Sequence, residues 1–171
     1  LKDKITAIPT MFIWSMQNVG KVWMYGTDVN LSASFVPHRK VTIVLNANYS
    51  LQYSVDVTDK NSKTYMHQTA YTPRHCGSSD LSIMTEWINI CYRLNAAGVR
   101  YSKGQNIPAN EIAGYADHCI SINRNFDFGK AHNYKIGISL ECLNLSGTNY
   151  EIIQSYPMPG RSFRISVKFK Y

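Results

Sequence analysis

The chain has no long apolar run. Nothing in its 171 residues approaches the ~18 consecutive apolar residues of a membrane-spanning helix. Apolar residues also do not recur at the i, i+3, i+4 and i+7 spacing of an amphipathic helix. These absences exclude a helical membrane anchor. They leave open a transmembrane β-barrel, because barrel strands alternate and are only mildly hydrophobic on average.

Metal-binding and catalytic motifs are also missing. The four cysteines follow neither a C-x-x-C nor a zinc-type spacing: Cys76, Cys91, Cys119 and Cys142. His75 and His118 each precede a cysteine, but neighbours on a strand point to opposite faces, so neither pair can easily bind one ion. There is no nucleophile elbow and no phosphate-binding loop. We therefore predict free thiols, no metal, no cofactor, no catalytic residue and no enzymatic activity.

Positive charge is present but not clustered. The net charge of +7 raises the question of a nucleic-acid partner. The eighteen lysines and arginines are scattered, many of them at alternate positions of candidate strands and opposite the aromatic residues. Binding of single-stranded nucleic acid needs charge and stacking aromatics on the same surface. We therefore predict no nucleic-acid partner.

A signal peptide is not recognisable at the N-terminus. The first residues, Leu1-Lys-Asp-Lys, are not a positive region followed by an apolar core. The chain begins within what reads as part of a strand. We therefore expect residues 1–171 to be a single segment of a longer protein.

The clearest pattern in the chain is its last eleven residues, 161–171. Apolar and polar residues alternate strictly there, which is typical of a β-strand with one apolar and one wet face. A tilted strand of about 9–11 residues also suffices to cross a bilayer. The apolar set is Phe163, Ile165, Val167, Phe169 and Tyr171, and the polar set is Ser162, Arg164, Ser166, Lys168 and Lys170.

The same alternation recurs upstream and predicts an all-β protein. Strands are predicted at 2–8, 22–35, 41–55, 78–84, 87–101, 114–126 and 134–145. Short turns are predicted at 36–40, 85–86 and 127–132, and long loops at 56–73, 102–111 and 146–160. The order is strand, short turn, strand, long loop, three times over. No second apolar set remains to cover the apolar face. The pattern predicts an antiparallel up-and-down meander of about seven or eight strands of a transmembrane β-barrel.

Two alternatives share this meander. One is an autonomous, eight-stranded membrane barrel of the adhesin type, and the other is a soluble, lipocalin-like ligand binder. A lipocalin would bury its apolar face in a compact interior. The chain offers nothing to fill that interior, which favours contact of the apolar face with lipid.

Several short motifs, in order and spacing, make the sequence resemble the C-terminal end of TonB-dependent outer-membrane receptors of the Bacteroidetes type. The likeness covers essentially the whole chain. The motifs are Gln17-Asn-Val-Gly-Lys21 with Tyr25-Gly26, Tyr71-Thr-Pro-Arg-His75, Gly98-Val-Arg-Tyr101 with Gln105-Asn106, Gly114-Tyr-Ala-Asp-His118, Leu143-Asn-Leu145, and the stretch from Tyr150 to Tyr156 that leads into Pro157-Met-Pro-Gly-Arg-Ser-Phe163.

This resemblance implies a barrel of about 22 strands plugged by an N-terminal domain, located in the outer membrane of a Gram-negative bacterium. Such a receptor imports a scarce nutrient, often a ferric siderophore, haem, cobalamin or a glycan, with energy delivered through TonB. Implied partners are that nutrient, the TonB system by way of the plug, outer-membrane lipid and the barrel-assembly machinery. The chain contains neither plug nor TonB-contacting box, so we expect it to form the last third of the barrel wall.

Candidate binding residues lie in and beside the long loops, since loops carry function in such folds. A cationic and aromatic rim suits an anionic, planar or sugar-like ligand. The candidates are Tyr65, His67, Tyr71, Arg74, Arg100 and Tyr101. Tyr150 and Tyr156 are expected to shape the last loop. The resemblance implies an assembly signal at the C-terminus, formed by Phe163, Phe169 and Tyr171.

Overall fold

The computed structural model describes residues 5–9, 14–18, 20–128 and 134–170. The described chain is all-β, apart from one turn of 3-10 helix at Pro108–Asn110. No helix in the described ranges is long or apolar enough to span a membrane. The strands are β1 (Ile5–Pro9), β2 (Trp14–Asn18), β3 (Val22–His38), β4 (Val41–Asp56), β5 (His75–Thr85), β6 (Asn89–Ala97), β7 (Arg100–Tyr101), β8 (Glu111–Ile112), β9 (Tyr115–Phe128), β10 (Tyr134–Leu143), β11 (Glu151–Ile153), β12 (Tyr156–Pro157) and β13 (Ser162–Lys170).

Seven of these strands form one antiparallel meander. Their order across the sheet is β13-β10-β9-β6-β5-β4-β3, so each strand pairs with its neighbours along the chain. The sheet is not closed: β3 and β13 are its two edges. This confirms the predicted all-β meander, and β1 and β2 form a separate hairpin.

Short and long connections alternate as predicted. β3–β4 and β5–β6 are joined by a few residues, and the β9–β10 connection is also short. We call the edge where these turns lie the short-turn rim. The opposite edge, the long-loop rim, carries loop 1 (57–74), loop 2 (98–114) and loop 3 (144–161).

The main departure from the predicted strands lies in the second long connection. The sequence predicts one strand over 87–101, but β6 ends at Ala97 and residues 100–101 pair with β8 inside loop 2. The chain leaves the sheet at Gly98, whose N–H donates to the carbonyl oxygen of His75 at 2.8 Å. β7, β8 and the 3-10 turn therefore give structure to a connection that the sequence analysis treated as irregular.

Every strand of the meander has one apolar and one polar face. The register aligns one row of apolar residues across all seven strands, from Phe35 through Ile43, Ile83, Ile90, Ile122 and Leu140 to Ile165. We call this side the apolar face. The opposite polar face carries ion pairs, including Arg93 Nε to Asp80 Oδ1 at 2.8 Å and Arg164 with Glu141. The alternation of side chains along a strand produces both faces at once.

Packing is concentrated at the long-loop rim. Neither face of the sheet is covered by another described element, and large side chains of the apolar face stay open, with Phe163 78% exposed. All the buried residues of the described ranges lie at the loop end of a strand or in a loop: Val22, Ser54, Val55, Gln68, Thr69, Ala70, Arg100, Ser102, Asn110, Ile112 and Asn144. The packed core of this segment is therefore made by the loops, which position the candidate site.

Candidate functional site

Loop 1 packs against the loop ends of β3 and β4 and is held by the carboxylate of Asp56. Oδ1 accepts hydrogen bonds from Thr58 N at 2.9 Å and Thr58 Oγ1 at 2.5 Å. Oδ2 accepts from Thr64 Oγ1 at 2.7 Å. Burial of Asp56 opposes its ionisation, but these hydrogen bonds favour the charged form and together lower its pKa from 3.8. The carboxylate therefore acts as the hub of this loop.

The far end of loop 1 contacts loop 2. Tyr71, whose φ is 56°, donates its N–H to the carbonyl oxygen of Tyr101 at 2.8 Å. His67 Nδ1 accepts a hydrogen bond from the N–H of Asn106 at 3.2 Å. Two residues of each loop are thus hydrogen-bonded, one pair through backbone groups and the other through the His67 side chain, which fixes the loops relative to one another.

Arg100 joins loop 2 to loop 3. The residue is buried, with 3% of its surface exposed. One guanidinium nitrogen donates to the carbonyl oxygen of Ala113 at 3.3 Å, and the other donates to those of Glu151 and, at 3.3 Å, Ile152. Burial lowers the pKa of Arg100 from its ordinary value. Carbonyl oxygens replace water around the cation, so this arginine holds the loops together.

Two tyrosine rings extend this contact. The Arg100 guanidinium lies 5.3 Å from the ring centroid of Tyr115, within the range of a cation–π interaction. Tyr115 stacks on Tyr150 with a centroid distance of 4.3 Å and an interplanar angle of 13°. Burial and the neighbouring Asp117 carboxylate raise the pKa of Tyr150 to about 12. Tyr150 therefore stays protonated at neutral pH.

The three loops surround a cavity of about 350 Å³, which falls within the size range of small-molecule sites. Its walls are apolar and aromatic, and the donors of Arg100 that are bonded to carbonyl oxygens are not available to a ligand. A flat apolar or aromatic group fits such walls better than a carboxylate. The lining residues are Tyr71, Pro73, Ala97, Arg100, Tyr115, Ile152 and Ile153.

The six predicted binding residues separate into two groups. Tyr71 and Arg100 line the cavity, whereas Tyr65, His67 and Tyr101 lie in loops 1 and 2 and are not among its lining residues. Arg74 is on the other side of the sheet: its guanidinium lies 5.2 Å from the ring centroid of Tyr53, a residue of the apolar face.

The cavity also includes residues that the sequence analysis did not select. Tyr115, Ile152 and Ile153 complete its walls. Tyr115 belongs to the motif 114–118, and Ile152 and Ile153 belong to the stretch 150–156. Both motifs contribute to the resemblance, but the sequence does not indicate that their residues line a cavity. Tyr150 was expected to shape the last loop, and its stacking on Tyr115 agrees with that expectation.

Two of the three predicted assembly residues, Phe163 and Phe169, lie on β13. Phe163 and Phe169 are on the apolar face and are 78% and 59% exposed. Tyr171 lies outside the described residues. In the described ranges, no three His, Cys, Asp or Glu side chains come together as a potential metal site.

Removal of the Asp56 carboxylate should loosen loop 1. The pKa of Asp56 is lower in the folded chain than its ordinary value of 3.8. The ionised carboxylate therefore stabilises loop 1 at neutral pH, and this stabilisation is lost as the pH falls below about 4. We expect the amide protection factors of residues 57–68 to fall on acidification, and to be low even at neutral pH in Asp56→Ala. The control is Asp59→Ala, which removes only a local bond to the N–H of Asn61. Equal effects of the two variants would contradict a hub role for Asp56.

Replacement of Arg100 should release loop 3. Arg100→Ala leaves buried carbonyl oxygens without a donor, which costs about 3 kcal/mol. We expect residues 144–161 to be cleaved faster by chymotrypsin and the urea midpoint to fall. Arg74→Ala is the control, because Arg74 is exposed and surface substitutions change stability by roughly 0.5 kcal/mol at most. Loop 3 cleavage that stays at the wild-type rate in Arg100→Ala would rule out this anchoring.

Comparison with known proteins finds a likeness among solved structures. No protein-family model and no curated protein sequence matches the chain. Among solved structures, the chain is similar to BauA, the ferric preacinetobactin receptor from Acinetobacter baumannii, with a TM-score of 0.70 and 12% sequence identity. The match covers 98% of this chain and 25% of that receptor. At this identity the likeness establishes the fold alone: the chain has the receptor-like β fold of a quarter of that protein.

Proposed function

We propose that this chain is the C-terminal barrel segment of an outer-membrane, TonB-dependent receptor for nutrient uptake. In this proposal the meander is part of the barrel wall, and the long loops face the cell exterior and contribute to ligand capture. The remaining strands, the plug domain and the TonB contact belong to the rest of the receptor. The segment itself has no catalytic role.

The apolar face carries the proposal, because most of its aromatic residues form two bands, with Tyr49 and Tyr92 between them. One band lies toward the long-loop rim, at Trp23, Tyr25, Tyr53 and Phe163, and the other toward the short-turn rim, at Phe35, Phe128, Tyr134 and Phe169. Mostly aliphatic residues lie between them. Paired aromatic girdles around an apolar band are typical of transmembrane barrels, where each girdle lies at one membrane surface.

The spacing of the bands also fits a bilayer. Tyr25 and Phe35 are ten residues apart on β3, or about 33 Å at ~3.3 Å per residue. Strands tilted by roughly 40° would project this length to about 25 Å, the height of the apolar band of outer-membrane barrels. The bands also shift from strand to strand relative to the row of paired residues that runs from Phe35 to Ile165. On β3, Tyr25 is ten residues from this row, whereas on β13, Phe163 is only two residues from it. Such stagger accompanies strand tilt.

The loops support the receptor part of the proposal. All three long connections lie at one rim, and together they enclose the cavity beside Tyr71 and Arg100. The similarity to part of a ferric siderophore receptor makes a siderophore-type ligand the first candidate for the nutrient. A ring system of such a ligand suits the apolar and aromatic walls of the cavity.

Dependence on detergent tests this proposal. We expect the purified chain to give a stable β-sheet signal in circular dichroism, and a discrete size in light scattering, only with detergent micelles present. Exposed apolar faces should drive it to aggregate in plain buffer. A compact, soluble monomer without detergent would overturn the proposal and favour the lipocalin-like alternative.

Two lysine substitutions on neighbouring residues of β5 test which face meets lipid. Leu81 is on the apolar face and Ser82 on the polar face at the middle of the sheet. Leu81→Lys should destabilise the micelle-bound chain by about 2–4 kcal/mol, the cost of a lysine facing lipid at the midplane. Ser82→Lys is the matched control and should change the urea midpoint little. Equal losses, or a larger loss for Ser82→Lys, would contradict a lipid-facing apolar side.

A further inference from the structure

The apolar face carries a groove that runs along β5. It has a volume of about 470 Å³, and small residues form its floor and sides: Gly77 and Ser79 on β5, Ala47 on β4 and Ala96 on β6. The floor is necessarily bare, because a Cβ on Gly77 would come within 2.7 Å of the carbonyl oxygen of Asn48. The strand pairing therefore requires a depression in an otherwise bulky surface.

The groove has a polar end at the long-loop rim. There the Tyr49 hydroxyl and His75 Nδ1 share a hydrogen bond of 2.7 Å, and both residues line the groove. Arg74 precedes His75, and its guanidinium is placed on the apolar face by its contact with Tyr53. The groove thus runs from a hydrogen-bonding end at the rim, next to Arg74, toward an apolar end in the middle of the sheet.

The cation at this end has no anion within the described chain. Arg74 is exposed and belongs to none of the ion pairs formed among the described residues. The register places every strand carboxylate between the two rims on the polar face: Asp28, Asp80, Asp117, Asp127 and Glu141. The apolar face of these strands therefore offers Arg74 no carboxylate, which leaves its guanidinium available to an anion from outside the described chain.

We propose that this groove is a binding site for a phosphate-bearing membrane lipid, with an acyl chain over Gly77 and the phosphate beside Arg74. The inference rests on the proposed function, because it needs the apolar face to meet lipid. A lipid matches both ends of the site. Its chain covers the apolar floor, and its phosphate lies at the membrane surface, where the band of Tyr25 and Tyr53 lies. Arginine suits this position, since its guanidinium can stack on an aromatic ring and bind phosphate.

Native mass spectrometry of the chain released from micelles tests the proposal, with dipalmitoyl phosphatidylglycerol as the titrated probe. We expect Arg74→Gln to weaken binding about fivefold, the effect of one basic side chain at a membrane surface. Arg124→Gln is the matched control: its guanidinium also lies over an aromatic ring of the apolar face, 4.6 Å from the centroid of Phe126, but far from the groove. Equal losses in the two variants would overturn the site.

A second pair of variants tests the groove independently of charge. Ala96→Phe adds a ring to the side of the groove and should weaken lipid binding by a similar factor. Ala116→Phe adds the same ring to the residue paired with Ala96 on β9, which does not line the groove, and should leave binding unchanged. Glycerol 3-phosphate, which carries the headgroup without chains, should not compete. Competition by it, or equal affinity of both phenylalanine variants, would overturn the proposal.

The test of the lipid site and the test of the proposed function can fail separately. If the chain is a soluble monomer without detergent, the membrane proposal fails and the lipid site fails with it. If the chain requires micelles but binds phosphatidylglycerol equally in wild type, Arg74→Gln and Ala96→Phe, only the lipid site is wrong. Light scattering on the same samples detects a second copy of the chain seated on the groove, and a dimer that excludes the lipid would also overturn it.

Discussion

The structure depends on an antiparallel sheet whose apolar face no other described part of the chain covers. Hydrogen bonding between the strands satisfies the backbone, but the usual hydrophobic stabilisation of a globular domain needs two apolar layers, and the described chain supplies one. The four buried apolar residues of the described ranges, Val22, Val55, Ala70 and Ile112, are too few to replace it. The second apolar layer must come from outside the described chain. The stability of the sheet therefore depends on what surrounds its apolar face.

At the long-loop rim, the polar groups of the loops need partners. Packing of the loops takes backbone groups away from water, and each of those groups needs a hydrogen-bond partner. The carboxylate of Asp56 accepts hydrogen bonds from loop 1. The guanidinium of Arg100 donates hydrogen bonds to carbonyl oxygens of loops 2 and 3. An acidic residue thus holds one part of the rim and a basic residue the other. The rim is consequently the part of the described chain where buried polar groups are concentrated, and the cavity is a product of this packing.

Much of the sheet follows from sequence, whereas the rim does not. Period-two alternation identifies the seven strands of the meander and assigns residues such as Ile83 and Asp80 to opposite faces, because side-chain direction is fixed by position along a strand. Loops have no such period. The short pairing of Arg100 with Ile112, and the positive φ of Tyr71, depend on contacts between distant segments. Composition could therefore indicate an aromatic and cationic rim, but it could not say which side chains turn toward the cavity.

Arg74 and Arg100 illustrate the limit and its consequence. Both were chosen for the same reason, a guanidinium beside a long loop, yet they lie on opposite sides of the sheet. Arg100 is enclosed by carbonyl oxygens and contributes to the architecture of the loops, while Arg74 is exposed on the apolar face over Tyr53. Residue type gave them equal weight, and only the contacts of their side chains in the structure separate them. The rim thus has an inner side that shapes a cavity and an outer side where an exposed cation lies next to the end of an apolar groove.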